Sequence, residues 1–128
     1  MAYSDIYSKE VIKRFRNPKN YGEIKNADGI GKVGNPKCGD VMWLYIKIKD
    51  RKIKNIKFKT FGCPAAIGVS DMVCDLAKGK TIKEAKKINN KLIAKKLKGL
   101  PKIKYHCSLL GEEALQAAIK DYEKKGGK

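Results

Sequence analysis

Two alternating runs joined by a two-residue turn, and followed at once by a change of period, constrain this chain more than any other feature. In Val41–Lys49, Met42, Leu44, Ile46 and Ile48 fall on one side, and Lys47 and Lys49 on the other. That is the period-two pattern of a strand with one face in a core. Trp43 and Tyr45 share the second face, which is therefore partly covered. Asp50-Arg51 suits a tight turn. From Lys52 to Phe61 the alternation resumes, with Ile56 and Phe58 inward and Lys57 and Lys59 outward. Together the two runs predict an antiparallel hairpin. At Gly62-Cys63-Pro64 the period becomes helical. Pro64 suits the first helical position, where a missing N–H costs nothing. Ala66, Val69, Val73, Leu76 and Ala77 then form an apolar stripe, and Gly79 suits the stop.

The remaining segments read more simply. Ser4–Arg16 has helical spacing, with Tyr7, Val11, Ile12 and Phe15 on one face. Asn17-Pro18 ends it, because the residue before proline avoids the α region. Gly22, Gly29, Gly31 and Gly34 mark a loop and then a weak strand over Gly29–Gly34. Glycine inside a strand marks a close backbone approach. Thr81-Ile82-Lys83-Glu84 matches a capping box. Asn90 is the expected cap of a further helix containing Leu92, Ile93 and Leu97, broken by Gly99-Leu100-Pro101. Ile103–His106 reads as extended and Ser108 as the N-cap of a last helix through Leu110, Ala114, Ala117, Ala118 and Tyr122. Glu112 and Glu113 are expected near its positive end. Lys124–Lys128 reads as a frayed tail. No repeat or long linker divides the 128 residues, so residues 1–128 form one expected domain.

Cys38, Cys63, Cys74 and Cys107 are widely spaced, and Met1–Ile6 has neither the basic start nor the apolar segment of a signal peptide. The longest apolar run, Val41–Ile46, is far short of the roughly 20 residues of a membrane span. The expectation is a soluble, cytoplasmic protein with reduced thiols and no membrane association. There, spaced cysteines point to metal or sulfur chemistry rather than cross-links. The net charge of +17 raises the question of nucleic acid. Lysines occur in every segment and arginines only at Arg14, Arg16 and Arg51. Nucleic-acid readers lean on arginine for bidentate contacts, so the expectation is a lysine-rich surface and no nucleic-acid partner.

Three short segments carry the chemistry. Pro36-Lys37-Cys38-Gly39-Asp40 puts a thiol and a carboxylate two residues apart in a turn before a strand. Phe61-Gly62-Cys63-Pro64 puts a thiol just before a helix, and Tyr105-His106-Cys107-Ser108 puts another beside the chain's only histidine. A thiol at a helix N-terminus has a lowered pKa, because the dipole favours the thiolate that ligates metal and attacks sulfur. Three thiolates select zinc, Cu(I) or iron–sulfur clusters. The CxxC pairs of structural zinc sites are missing. The fourth donor is Asp40 or His106. A carboxylate binds iron less covalently than a thiolate, so a centre completed by Asp40 releases more easily than the four-cysteine site of an electron carrier. Cys74, within Met72-Val73-Cys74-Asp75-Leu76, reads as a small buried hydrophobe outside the site.

Cys38-Gly39-Asp40-Val41-Met42, Phe58-Lys59-Thr60-Phe61-Gly62-Cys63 and His106-Cys107-Ser108-Leu109-Leu110-Gly111-Glu112-Glu113-Ala114 resemble the IscU/NifU N-terminal iron–sulfur cluster assembly scaffolds. Asn17-Pro18-Lys19-Asn20-Tyr21-Gly22 and Lys78-Gly79-Lys80-Thr81 look like the same family, so the resemblance spans nearly the whole chain. It implies an α+β fold, a three-stranded antiparallel sheet with helices packed on it. It implies a non-enzymatic scaffold on which a labile 2Fe–2S cluster is assembled and passed to recipient apoproteins. Cys38, Cys63 and Cys107 receive sulfur from a cysteine desulfurase of the IscS/NifS type and hold the cluster. Asp40 and His106 match the family's additional site residues, and Lys104 a lysine close to the site. Zinc can replace iron on such donors, and the alternative function is a zinc-bound, SufU-like sulfur acceptor. The absence of an obvious insertion between Cys63 and Cys107 argues against that branch. The family's DnaK-type chaperone loop reads Leu-Pro-Pro-Val-Lys in many members. Here it is Leu100-Pro101-Lys102-Ile103-Lys104, without the second proline. A monomer and a cluster-sharing homodimer both remain open.

Overall fold

The computed structural model describes residues 8–35, 40–60, 64–98 and 105–126. The order is α1 (Lys9–Arg16), β1 (Gly29–Asn35), β2 (Asp40–Lys49), β3 (Lys52–Thr60), α2 (Pro64–Ala77), α3 (Ile82–Ala85), α4 (Asn90–Lys96) and α5 (Tyr105–Lys124). The strands form one antiparallel sheet in the order β1-β2-β3, as the resemblance implied. Met42, Leu44, Ile46, Ile53, Ile56 and Phe58 are buried on one face, under α2 and α5. The opposite face carries the half-buried Trp43 and Tyr45, with the Lys32 ammonium 5.6 Å from the Trp43 ring. The turn residues Asp50 and Arg51 both have positive φ, 54° and 65°, the twist-matched geometry that a two-residue hairpin requires. The free edge of β3 is covered at both ends. Asn20 and Gly22 bond to Phe58, and Gly79 and Lys80 to Ile53, which leaves little edge open to another chain.

Several boundaries differ from the expectation. Ser8 is the N-cap of α1, its Oγ accepting from the Val11 N–H, so the described helix begins at Lys9 rather than Ser4. The expected start at Ser4 and the Tyr7 side chain lie outside the described residues. Asn89, not Asn90, caps α4. The Asn90 N–H donates instead to the Glu112 carboxylate, 3.0 Å away, so Glu112 ties α4 to α5 rather than serving the α5 terminus. Residues 105 and 106 are helical, not extended, and α5 begins three residues before the expected cap Ser108. Ser108 is buried and starts the stripe that continues through Gly111, Leu115 and Ala118. Tertiary burial of Ser108 outweighs its capping preference. The capping box at Thr81 and Glu84 is formed as expected.

Glycine sets the layer spacing. A Cβ at Gly29 would lie 2.2 Å from the Ala118 carbonyl, and one at Gly31 would lie 2.2 Å from the Ala114 carbonyl and 2.6 Å from the Ala118 nitrogen. The α5 backbone therefore rests directly on the β1 backbone. Gly111 does the same on the other side of α5, where a Cβ would meet the Val69 and Val73 side chains of α2 at 2.6 and 3.0 Å.

A polar cluster anchors the N-terminal segment to α2. Asp71 is 1% exposed. Its carboxylate accepts from the Asn20 backbone N–H and side-chain amide, both at 3.0 Å, and from the Arg14 guanidinium at 2.7 Å. Arg14 also reaches Asp75 at 2.6 Å and Glu10 at 2.8 Å, and the Asn20 amide reaches Asp75 at 3.0 Å. Partial burial on its own pushes the Asp75 carboxyl up, but the hydrogen bonds from Asn20 and Arg14 outweigh it and leave its pKa lowered. The Asp121 carboxyl is lowered too, by its bonds to Lys125 and to the Ile30 N–H of β1.

Gly31→Ala is expected to destabilise the domain by about 1–3 kcal/mol, because backbone rather than a flexible side chain occupies the space; an unchanged urea midpoint would refute the close α5–β1 approach. Asp75 and Asp121 have folded pKa values below their unfolded value of about 3.9. Their contribution is therefore complete above that value and lost as pH falls through the folded values. Urea midpoints are expected to be level from neutral pH down to about 5 and to fall below about 4, with a shallower acid limb in Asp75→Asn.

Candidate functional site

The sequence motifs come from three chain segments, and the described residues next to them show where the flanking strands and helices end. Asn35 and Asp40 face each other as the last pair of β1 and the first of β2. Cys38 falls between them in sequence, outside the described residues. At the same end of the sheet Thr60, the last residue of β3, pairs with Met42, and its hydroxyl donates to the Val41 carbonyl at 2.7 Å. Cys63 follows three positions later, also outside the described residues, and Pro64 begins α2.

The glycine contacts place the third segment. Gly29 lies by Ala118 and Tyr122, and Gly31 by Ala114 and Ala118, so α5 runs antiparallel to β1. Gly31 is level with the helix turn around Gln116. From Gly31 to Asn35 the strand advances about 13 Å. From Gln116 back to Cys107 the helix advances about 13.5 Å. The Cys107 backbone, in the first turn of α5, is thus roughly level with the Asn35–Asp40 pair. One turn further along, Gly111 lies against Val69 and Val73 of α2, which brings the helix that follows Cys63 beside the helix that carries Cys107.

The described backbone at Asp40, His106 and Cys107 therefore belongs to one end of the sheet, where β1 ends, β2 begins, β3 ends and α5 begins. Cys107 lies inside the first helical turn rather than before it. Lys104 and the segment Leu100–Lys104 lie outside the described residues.

Cys74 is the contrast. It is fully buried in α2. Burial first, then the negative charges of Asp71 and Asp75, push its thiol well above the usual value. It stays a protonated, inert thiol, the buried hydrophobe that its mid-helix setting predicted. Three supporting features escaped the sequence reading. Gly111 looked like any small residue on a helix, and Asp71 was passed over inside an apolar stripe. Arg14 enters the sequence reading only as one of three arginines. The one available signal was Ser70-Asp71 within an otherwise apolar helix, since a carboxylate there demands partners.

Comparison with known proteins agrees with this architecture. The family model of the NifU-like N-terminal domain matches residues 6–128. The iron–sulfur cluster assembly scaffold protein IscU 1 of Archaeoglobus fulgidus is 56% identical over 123 residues, 96% of this chain and 80% of that protein. The iron–sulfur cluster assembly scaffold protein IscU of Rickettsia prowazekii is 50% identical over 123 residues, 93% of each. Among solved structures, the N-terminal NifU-like protein of Brucella abortus matches the fold with a TM-score of 0.75 at 19% identity, over 96% of this chain and 98% of that one. By this match over nearly its whole length, the chain belongs to the NifU-like N-terminal domain family.

Proposed function

We propose that this protein is a scaffold on which an iron–sulfur cluster is assembled and from which it is passed to recipient proteins. What supports the reading is that β1 ends, β2 begins, β3 ends and α5 begins at one end of the sheet, and that Cys38, Cys63 and Cys107 fall at or next to those ends in the sequence. Relatives sharing half or more of the sequence carry the name of iron–sulfur cluster assembly scaffold.

In this reading the cluster is cargo of the 2Fe–2S type. Cys38, Cys63 and Cys107 supply thiolates, and Asp40 or His106 supplies the harder fourth donor. Sulfur comes from a cysteine desulfurase as a persulfide on Cys107. Its sulfane sulfur needs two electrons from an external reductant to become sulfide. Asp40, the first residue of β2, stands beside the last residue of β1. It can offer a carboxylate to iron without holding it as a fourth thiolate would. In this reading the protein's own contribution is to offer three thiolates and to leave one position weak. No described helix is long and apolar enough to cross a membrane, in keeping with a carrier that meets its donors and recipients in water. The missing second proline in Leu100–Lys104 weighs against recognition by a DnaK-type chaperone.

Anaerobic reconstitution with iron, cysteine and a cysteine desulfurase tests the assignment. A 2Fe–2S absorption and Mössbauer signature is expected in the wild type and in Cys74→Ala, and is expected to be lost in Cys38→Ser, Cys63→Ser and Cys107→Ser. Tightly held zinc with no cluster formed would instead indicate a sulfur acceptor on the same donors. Asp40→Ala is expected to keep its urea midpoint and its cluster while slowing transfer to an apoferredoxin several-fold; transfer at the wild-type rate would remove Asp40 from the release step.

A further inference from the structure

Basic charge is present in every segment, but it is not evenly spread. Residues 78–98 hold nine lysines and one acidic residue, Glu84, and so contribute +8 of the net +17. This stretch holds α3 and α4 and, with the end of α2, surrounds an open groove of about 460 Å³. The groove floor is aliphatic: Ile88 is buried, and Leu76 and Leu92 are half-buried. Lys80, Lys87 and Lys96 stand exposed along its rim. Glu84, also on the wall, has its carboxylate occupied by the Thr81 N–H and hydroxyl. The described ion pairs involve other lysines, Lys47, Lys59, Lys86 and Lys125. Among the described residues no ion pair engages Lys80, Lys87 or Lys96 directly, and the single wall carboxylate, Glu84, whose charge acts on Lys80, leaves the rim with a net positive charge.

We propose that this groove docks an acidic amphipathic segment of a protein partner. The partner's aliphatic side chains lie on Leu76, Ile88 and Leu92, and its carboxylates face Lys80, Lys87 and Lys96. Charge complementarity of this kind speeds encounter and rejects basic partners. The composition of the groove sets the class of partner. It contains no aromatic ring on which a base could stack and no arginine to grip phosphate bidentately. Its apolar residues are recessed, whereas a lipid surface is met by apolar residues that protrude. A recessed aliphatic floor with a cationic rim receives aliphatic side chains flanked by carboxylates.

The location gives such a segment a use. Pro64 and Leu76 are separated by about 18 Å of helix, so the groove is at the end of α2 remote from Cys63. A partner held there leaves the cysteine-bearing end open to a second protein. The groove is a tether rather than a cover.

The test is methyl and amide NMR of the full-length apo chain, titrated with a synthetic peptide. In the peptide, leucines recur at every third and fourth position and glutamates fill the rest. The expected result is shifts centred on Leu76, Ile88 and Leu92 and an affinity that weakens as salt rises. In Lys80→Glu/Lys87→Glu/Lys96→Glu, with its urea midpoint retained, the loss is expected to be about tenfold or more. The triple variant is expected to accept a cluster as the wild type does, so failure here leaves the scaffold reading untouched. Equal binding by the triple variant would overturn the proposal, as would equal binding of a peptide of the same composition without an apolar face. A single-stranded oligonucleotide or phosphatidylserine vesicles shifting the floor methyls at lower concentration than the peptide would also overturn it, in favour of those ligands.

Discussion

The direct seating of the α5 backbone on the β1 backbone is the contact on which the rest depends. Helices ordinarily stand off a sheet by the thickness of two layers of side chains. Here Gly29 and Gly31 remove one layer, and the Ala114 and Ala118 peptides fill the space. A helix that touches a strand peptide to peptide cannot slide without collision, so its height along the strand is set to within a residue or so. That height determines which turn of α5 stands level with the end of β1 and the start of β2, and it is the first, whose backbone includes residues 106 and 107. Gly111 then admits the valines of α2 to the same helix. The two helices that carry or follow cysteines are thereby referred to a single strand.

The second organising interaction is electrostatic. Asp71 is buried inside α2, and its carboxylate is met by the Asn20 N–H and amide and by Arg14. A buried carboxylate stripped of one partner is costly, by about 3–5 kcal/mol for a broken buried pair. The segment from Arg14 to Asn20 is therefore held against α2 in one arrangement. The same segment goes on to cover the edge of β3 through Asn20 and Gly22. A charge that looks misplaced in an apolar helix thus positions the N-terminal helix and protects the sheet. It also keeps Cys74, in this buried and negative neighbourhood, protonated.

Much of this was legible in the sequence, for identifiable reasons. The β2–β3 hairpin was readable because alternation and turn chemistry agree, and α2 because Pro64 and Gly79 bracket an apolar stripe. The capping box of α3 is a purely local device and formed as expected. The misplaced boundaries share one cause. Ser108 and Asn90 are good caps in isolation, but Ser108 is buried within the stripe that α5 presents to its neighbours, and the Asn90 N–H is taken by Glu112 from another helix. Local preference amounts to about a kilocalorie per mole, and tertiary contacts exceed that.

By itself the sequence determined the type and order of the elements, the strand faces, the inert character of Cys74 and the three cysteine motifs. All of these depend on residues near one another in the chain. Which ends meet was decided only by the tertiary structure. The level of Cys107 depends on glycines more than seventy residues before it. The grip on α2 depends on an arginine and an asparagine more than fifty residues before Asp71. The basic groove depends on Ile88, between α3 and α4, and Leu92 of α4 coming beside Leu76 at the end of α2. Such contacts leave no periodic trace, because a missing Cβ or a paired charge gains its meaning only from the surface that comes to rest against it.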